Sequence, residues 1–247
     1  MRALVVSDLH ANSVALRAVL KRVRRKKFDT VICLGDFVGY GAHPNQIVDT
    51  MRGLRGRKVF IRGNHDRVAA GLDDANGFNQ AAKASALWTQ ENLRPANRRF
   101  LGNLTLGPLL YRDVMLCHGS PYDEDEYIFT VHHAAQILGL YTAAPFILFG
   151  HTHLPVVFSI DGARNVHGAA IRDETTLRLE PGLRYLINPG SVGQPRDRNP
   201  AAACVILDTD KRTVQFLRVP YDVARTQADI REAGLPEILA ARLAFGT

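Results

Sequence analysis

The stretch Ala3-Leu4-Val5-Val6-Ser7-Asp8-Leu9-His10 joins a short apolar run to residues whose side chains can bind a metal ion. Four later stretches repeat this arrangement, at residues 31–36, 59–66, 114–119 and 146–153. Short apolar runs without alternation are typical of strands that are buried on both faces. Because ligands of open α/β sheets sit at the carboxyl ends of such strands, the five polar tips are predicted to converge on one cleft.

The order of the elements predicts an α/β fold. Strands that end near residues 7, 34 and 61 alternate with helices over residues 13–27 and 44–54, and this βαβαβ rhythm implies parallel strands. A further helix is expected over residues 78–92, and two short helices follow Asp222 and Pro236. Strand-like runs lie near residues 104–106, 109–117, 146–149, 154–160, 184–187, 203–208 and 213–219. Two mixed sheets packed face to face and flanked by helices would use all of these strands.

The chain of 247 residues contains no Gly/Ser-rich or Pro-rich linker. Its candidate ligands extend from Asp8 to His153, so a domain boundary between them would split the site. We therefore expect a single domain over residues 1–247, with a C-terminal β-hairpin and two short helices (about 203–245) packed on it.

The composition favours anionic partners without choosing among them. Lys and Arg number 31 against 24 Asp and Glu, which gives a net charge of +7. The densest basic run, residues 21–27, ends an amphipathic helix, so a solvated helix end is favoured over a nucleic-acid patch. No apolar run is long enough for a membrane span, and the N-terminal run is too short for a signal peptide. Cytoplasmic residence is the expectation.

The three cysteines, Cys33, Cys117 and Cys204, each lie inside an apolar run. Their odd number and their positions favour reduced thiols in the core. Cys117 adjoins His118 and could instead be a ligand or a nucleophile, but its apolar neighbours favour the core interpretation.

The candidate ligands comprise two carboxylates, one amide and four imidazoles: Asp8, Asp36, Asn64, His10, His118, His151 and His153. Nitrogen and oxygen ligands without thiolate suit Mn, Fe, Co, Ni or Zn rather than Mg or Ca. Seven side chains exceed the needs of one ion and suit two divalent ions that share a bridging carboxylate. Such pairs, about 3.5–4 Å apart, clamp the attacking and leaving oxygens of a phosphoryl displacement. An amide at Asn64, in place of a carboxylate, keeps the site positive for a phosphate anion.

His65, beside the candidate ligand Asn64, could protonate a leaving alkoxide, because imidazole titrates close to neutral pH. Asp66 could orient it, although adjacent side chains often point apart. The histidines His43, His132, His133 and His167 do not follow apolar runs, so solvent-facing or structural roles are favoured for them.

The ordered series Asp8-x-His10, Gly35-Asp36, Gly63-Asn64-His65-Asp66, His118 and Gly150-His151-x-His153 resembles the calcineurin-like metallophosphoesterase superfamily. Further stretches, Gly39-Tyr40-Gly41 and residues 188–196, are similar to a small bacterial and archaeal branch of phosphoesterases and extend the resemblance to about residue 210.

The resemblance implies a four-layer αββα sandwich with a dinuclear metal centre. It implies that Asp8, His10, Asp36 and His153 bind one ion. It implies that the other takes Asp36, Asn64, His118 and His151, so that Asp36 is the bridge. A metal-bridging hydroxide would attack phosphorus, and His65 would serve as general acid.

One departure from the superfamily bears on the substrate. Phosphoprotein phosphatases of this kind carry Gly-Asp-x-Val-Asp-Arg-Gly at the second motif, whereas this chain reads Gly35-Asp36-Phe37-Val38-Gly39-Tyr40-Gly41. The missing Asp and Arg disfavour a Ser/Thr protein phosphatase and the diadenosine tetraphosphatase branch. Another residue must then bind phosphate. Arg196 is the first candidate for this phosphate contact, and Arg67 is the second. Arg196 could instead pair with Asp197 or be solvated. Asn12 could be a helix cap or could contact the substrate.

These features favour hydrolysis of a phosphate ester, whether a phosphodiester, a nucleotide or a phosphomonoester, with a small phosphorylated molecule as substrate. A catalytically silent scaffold on the same fold is the alternative, and it ranks lower because no ligand is missing. A nuclease is favoured only by the excess of basic residues. It ranks below hydrolysis of a small molecule, because the sequence shows no basic surface with interspersed aromatic residues of the kind that binds nucleic acid.

Overall fold

The computed structural model describes residues 1–247 and contains eight α-helices, one short 3₁₀ helix and twelve β-strands. The helices are α1 (Ser13–Val23), α2 (Pro44–Gly53), α3 (Asn64–Ala69), α4 (Gln80–Asn92), α5 (Pro95–Gly102), α6 (Val131–Leu140), α7 (Val223–Glu232) and α8 (Glu237–Ala241), with the 3₁₀ helix at Arg242–Ala244. None of them combines the length and the apolar character that a bilayer crossing needs.

The strands divide equally between two mixed sheets. The first sheet has the order β3 (Arg57–Phe60), β2 (Thr30–Cys33), β1 (Arg2–Val6), β11 (Ala202–Asp208), β12 (Thr213–Val219), β9 (Thr175–Arg178). The second has the order β4 (Leu109–Tyr111), β5 (Val114–Leu116), β6 (Phe146–Leu148), β10 (Arg184–Asn188), β7 (Val156–Ile160), β8 (Val166–Ala170). Strands β1, β2 and β3 are parallel, as are β5, β6 and β10.

Strand β1 shows why continuous apolar runs build this fold. Leu4 and Val6 belong to the core cluster that α1 and α2 cover, whereas Ala3 and Val5 belong to the cluster between the two sheets. Successive side chains of a strand point to opposite faces, so a strand covered on both sides must be apolar at every position. A third cluster packs α6 against the second sheet. The four layers are therefore helix, sheet, sheet and helix, and the predicted αββα sandwich is confirmed.

The C-terminal hairpin of β11 and β12 lies within the first sheet, where β11 pairs antiparallel with β1. The two predicted C-terminal helices correspond to α7, whose N-cap is Asp222, and α8, whose N-cap is Pro236.

Several predicted boundaries are wrong. Helix α1 ends at Val23 rather than near residue 27, because the chain must turn for Asp29 to bond Arg2 and start β2 beside β1. The predicted strand over residues 109–117 is a hairpin, β4 and β5, that turns at Arg112 and Asp113. Residues 104–106 form only an isolated bridge between Ile61 and Thr105.

Helices α3, α5 and α6 and strands β8 and β9 were not predicted. Pro95 opens α5 at the first turn, where a missing N–H is tolerated, but it reads in the sequence as a break. Strand β8 is an exposed edge strand that carries Gly168, Ala169 and Ala170, so no apolar periodicity marks it.

Replacement of Leu16 should measure how much the helix layer contributes to stability. Leu16 on α1 is 1% exposed and packs in the first core cluster. We expect Leu16→Ala to lower the free energy of unfolding by about 2–5 kcal/mol, through lost apolar burial and the cavity left behind. Denaturant titration would measure this change. The matched variant Leu87→Ala, at a helical leucine that is 38% exposed, should cost less than about 1 kcal/mol; equal losses would contradict the assignment of Leu16 to the core.

Candidate metal centre

Six of the predicted ligands lie in loops at the carboxyl ends of the parallel strands, and the seventh, Asn64, is the first residue of α3. Backbone hydrogen bonds tie these loops together. The Asp8 N–H donates to the Gly35 carbonyl at 3.1 Å, and the His10 N–H donates to the Asp36 carbonyl at 3.0 Å. The Asp8 carbonyl accepts from the Ser191 hydroxyl at 2.8 Å, a bond that joins the loop after β10 to the loop after β1. The positions of the ligands are therefore fixed by main-chain contacts between different strands.

Five of the predicted ligands have left-handed backbone conformations. The φ angles are +53° at Asp8, +44° at His10, +51° at Asp36, +63° at His151 and +60° at His153. Such conformations are uncommon for residues other than glycine and cost of order 1–3 kcal/mol each when the surrounding structure imposes them. Their clustering in one place is typical of a functional site, where side-chain direction outweighs local backbone preference.

All seven predicted ligands are at most 6% exposed, and they fall into two groups. Atoms of Asp8, His10 and His153 that can bind a metal lie within 4.8 Å of one another. The same holds for Asp36, His118 and His151. The side-chain oxygen of Asn64 lies 3.0 Å from His118 Nε2, which places the amide in the second group. The distance of 3.7 Å from His10 Nε2 to Asp36 Oδ2 connects the two groups.

Hydrogen bonds to carbonyl groups fix the protonation of the first pair of histidines. Nδ1 of His10 donates to the Val38 carbonyl at 3.1 Å, and Nδ1 of His153 donates to the Gln194 carbonyl at 2.6 Å. In the neutral rings Nε2 then carries a lone pair, and these two Nε2 atoms lie 3.0 Å apart. Two lone pairs at this distance repel unless a cation or a proton lies between them. The donor set therefore fits a metal ion.

The second group is arranged in the same way. Nδ1 of His118 donates to the Leu34 carbonyl at 2.8 Å, and its Nε2 lies 3.4 Å from Asp36 Oδ2. His151 uses the opposite nitrogen: Nε2 donates to the Asp125 carbonyl at 3.1 Å, which leaves Nδ1 as the lone-pair donor. In known metal sites such outer hydrogen bonds orient ligating histidines.

The carboxylates of Asp8 and Asp36 each direct one oxygen toward the imidazoles of the site. Oδ1 of Asp8 lies 3.3 Å from His153 Nε2 and also accepts from the His151 N–H at 3.2 Å, while Oδ2 is buried beside Gly150 and has no hydrogen-bond partner. Oδ1 of Asp36 accepts from the His65 N–H at 2.9 Å, while Oδ2 faces His10 and His118. An unpartnered buried carboxylate oxygen is costly unless a cation compensates it.

The pKa values of Asp8 and His118 also indicate that positive charge is stabilised in the site. Burial raises the pKa of Asp8, but the contact with His153 and the attraction to His118 together outweigh burial and hold the pKa below its ordinary value. Burial lowers the pKa of His118, but the Asp36 and Asp8 carboxylates and the Leu34 carbonyl together outweigh burial and raise the pKa to about 10. Burial, assisted by His118, lowers the pKa of His151 to about 3. Without a metal, a proton on His118 is thus the positive charge that the carboxylates retain.

His65 is the second residue of α3 and lies beside the first group. Its ring centroid is 5.0 Å from that of His10, 4.4 Å from that of Tyr40 and 4.5 Å from that of Phe78. Burial lowers the pKa of His65 to about 4, and Nδ1 has no hydrogen-bond partner. Gly39 approaches this ring so closely that a β-carbon at residue 39 would overlap it.

Asp66 does not hydrogen-bond the His65 ring. Its two carboxylate oxygens accept from the backbone N–H groups of Val38 and Gly63, at 3.2 Å and 3.1 Å. The side chain therefore joins the loops after β2 and β3, and the predicted orienting contact with His65 is absent.

Arg196 lies at the edge of the site. Its Nη2 is 3.0 Å from the side-chain oxygen of Gln194 and 3.4 Å from the Tyr40 hydroxyl, and its Nε is buried without a partner. The alternative pairing with Asp197 is wrong, because Asp197 binds Arg218. The second candidate, Arg67, is occupied by the carboxylates of Asp73, Glu124 and Asp125.

Asn12 is a helix cap. Its side-chain oxygen accepts from the Ala15 N–H at 3.0 Å, and its amide donates to the Gly193 carbonyl at 3.0 Å. Cys117 is fully buried, its pKa is raised by burial, and its thiol lies 3.4 Å from the Leu148 carbonyl, which agrees with a core thiol.

Three aromatic residues of the site were not predicted: Tyr40, Phe78 and Tyr127. Together with His65 and His151 they line a cleft of about 220 Å³. The Tyr127 ring lies 4.1 Å from the His151 ring. Tyr127 directly follows the acidic stretch 123–126, and this loop covers the cleft through the contacts of Asp125 with His151 and Arg67. The Gly-Tyr-Gly stretch around Tyr40 was the one signal in the sequence that could have identified an aromatic wall.

The chain is similar to known phosphoesterases over its whole length. A family model for the calcineurin-like phosphoesterase superfamily domain matches residues 1–212. A metallophosphoesterase from Sphaerobacter thermophilus is 39% identical, with a TM-score of 0.84 over 100% of this chain and 99% of that one. The hypothetical protein PH1004 from Pyrococcus horikoshii has the same fold, with a TM-score of 0.82 at 20% identity over 100% and 98% of the two chains.

A curated relative gives the same result at the level of sequence. The uncharacterized protein MJ0912 of Methanocaldococcus jannaschii is 34% identical over 98% of this chain and 97% of its own length. The resemblance inferred from the ordered motifs is thus confirmed, and the chain belongs to the calcineurin-like phosphoesterase superfamily, whose members are in general phosphoric ester hydrolases.

Proposed function

We propose that this protein hydrolyses an ester of a small phosphorylated molecule at a centre of two divalent transition-metal ions, such as Mn, Fe, Zn, Co or Ni. The observation that carries the proposal is the facing pair of Nε2 lone pairs on His10 and His153, 3.0 Å apart and fixed by carbonyl groups behind them. A core histidine pair without a ligand would turn at least one ring to donate.

The two groups of ligands would each hold one ion. One set comprises Asp8, His10 and His153, and the other Asn64, His118 and His151, with Asp36 between the two sets. Bound ions of this kind supply Lewis acidity, which polarises a phosphoryl oxygen and lowers the pKa of water. The ligands leave a net positive charge because Asn64 is neutral, and a phosphate anion is favoured there.

His65 would donate the proton that the leaving oxygen needs. A general acid must carry a proton, and burial, together with repulsion from Arg196 and the neighbouring histidines, lowers the pKa of His65 to about 4. The negative charge of an arriving phosphate ester favours the imidazolium form, so substrate binding itself would raise this pKa. The Nδ1 of His65 is buried and has no hydrogen-bond partner, so no other group of the chain holds a proton of the ring at that atom.

Arg196 would bind the phosphoryl oxygens that face away from the ions. Its guanidinium lies 5.7 Å from the Tyr40 ring, and that ring lies 4.5 Å from the ligand His10. Arg67 is less suited to this role, because three carboxylates already neutralise it.

The ligand assignment predicts that Asp36→Asn removes both metal and activity. Asparagine keeps the shape of the side chain and tolerates the left-handed backbone at this position, but it lacks the charge that would hold two cations. We expect wild type to hydrolyse nitrophenyl phosphate or bis-nitrophenyl phosphate with Mn²⁺ or Co²⁺, and Asp36→Asn to lose at least about 100-fold in kcat/KM. Elemental analysis should show metal in wild type and a reduced amount in the variant.

The matched control is Asp161→Asn, in the turn before β8, which should keep both metal and activity. A wild-type protein that binds no transition metal, or that leaves both esters intact with every metal tried, would end the proposal.

Removal of the proposed acid should affect catalysis and leave the metal in place. We expect His65→Ala to lower kcat by about 10²–10⁴-fold, the usual contribution of general acid–base catalysis. Steady-state kinetics and metal analysis of the same preparation would measure the two effects. His167→Ala, at an exposed histidine on β8, is the matched control. A His65→Ala enzyme as active as wild type at equal metal content would exclude the role of general acid.

The proposed phosphate contact predicts a change in substrate affinity. We expect Arg196→Gln to raise KM by about tenfold, since a charge-assisted hydrogen bond to phosphate is worth about 1.5–3 kcal/mol. The dissociation constant of inorganic phosphate should rise in parallel. Arg178→Gln, at an exposed arginine on β9, should change neither value. If both arginine variants bind phosphate as wild type does, Arg196 is not a phosphate ligand.

A further inference from the structure

A second and larger cavity adjoins the candidate metal centre. Its volume is about 550 Å³, within the range of roughly 300–1,000 Å³ that is typical of small-molecule sites. Its apolar lining includes Ile128, Phe129, Leu154, Pro155, Phe158 and Ile171. A bare phosphate ion needs neither this volume nor this lining, so the cavity suits an organic group.

The chain itself places this cavity next to the metal ligands. Leu154 and Pro155 directly follow the ligand His153, and Ile128 directly follows Tyr127, whose ring contacts His151. On each of two separate loops, a residue that lines the cavity therefore directly follows, in the sequence, a residue of the metal centre or its cleft.

A row of three adjacent rings connects the metal centre with the cavity. The His151 and Tyr127 rings are 4.1 Å apart and tilted by 33°, and the Tyr127 and Phe129 rings are 5.4 Å apart and tilted by only 11°. Phe129 lines the cavity and is 57% exposed, so an aromatic face of this row is open to a ligand. Flat aromatic groups favour stacked contact with such faces.

Arg196 belongs to both the cavity and the edge of the metal centre. It lines the cavity, and its Nη2 contacts the side chain of Gln194, whose carbonyl accepts from the ligand His153. The neighbouring acid of the cavity wall, Asp197, is neutralised by Arg218. The positive charge of Arg196 thus stays available at the boundary between the cavity and the site.

We propose that this cavity binds a flat aromatic ester group of the substrate while the phosphoryl group lies at the metal centre, with Arg196 at the junction. The inference rests on the proposed phosphoester hydrolysis and narrows its substrate class to esters that carry an aryl ring or a nucleobase. Burial of such a ring should strengthen binding by about tenfold to a hundredfold.

Equilibrium binding to the Mn²⁺-reconstituted protein tests the inference without turnover. Benzylphosphonate carries an aromatic ring, and ethylphosphonate is its small counterpart; isothermal titration calorimetry gives both dissociation constants. We expect benzylphosphonate to bind wild type at least about tenfold more tightly. The variant Ala170→Trp places an indole in the cavity, which Ala170 lines, and should abolish this preference.

The neighbouring residue on the same strand provides the control. Ala169 also lies on β8 and is exposed, but successive side chains of a strand point to opposite faces, and Ala169 does not line the cavity. Ala169→Trp should keep the preference for benzylphosphonate. Thermal unfolding and metal content, measured for both variants, identify a loss of fold.

Adenosine 5′-phosphorothioate, as a third ligand, separates the two sources of an aromatic group. Weaker binding of this nucleotide to Ala170→Trp than to Ala169→Trp would identify a nucleobase, and an effect on benzylphosphonate alone would identify a simple aryl ring; both results support the cavity. Equal binding of benzylphosphonate and ethylphosphonate to wild type would overturn the inference and leave the phosphate site intact. If no phosphonate binds at all, the inference falls together with the proposed function.

Discussion

The buried acceptors of the site need positive charge between them. Two carboxylates and four imidazoles are at most 5% exposed, and their hydrogen-bond donors point outward to carbonyl groups while their lone pairs point inward. Burial of such groups without compensation costs several kcal/mol for each charge. The strained backbone at Asp8, Asp36 and His151, and the hydrogen bonds between loops, follow from this constraint, since they are what holds the acceptors in place against repulsion.

The sequence was enough to predict that the candidate ligands lie close together, because their positions follow from strand geometry. Asp8 and Asp36 each come directly after a run that is apolar at every position, and parallel strands bring such ends to one edge of a sheet. The fold class follows from the same runs. By contrast, β8 carries glycine and alanine on an exposed edge, so its pairing with β7 depends on a partner that no local pattern reveals.

The walls of the site were harder to predict than its centre. Tyr40, Phe78 and Tyr127 come from three loops far apart in the chain, and nothing in the spacing of aromatic residues brings them together. The ion pairs of Arg67 could not be predicted from the sequence either, because its three acidic partners lie in two different loops. Arg196 and Asp197 are neighbours in sequence, yet Asp197 pairs with Arg218 on β12. Contacts of this kind depend on tertiary packing alone.

The place of β11 in the first sheet has a consequence for how the molecule is made. The last candidate ligand is His153, but β1 acquires its second neighbour only when residues 202–208 have been synthesised. At roughly 5–20 residues per second, the ribosome takes roughly 10–40 s to reach that point. During this interval one edge of β1 offers unpaired N–H and carbonyl groups to any other strand, which is an aggregation hazard. The nascent chain thus carries every candidate ligand before the sheet that positions several of them is complete.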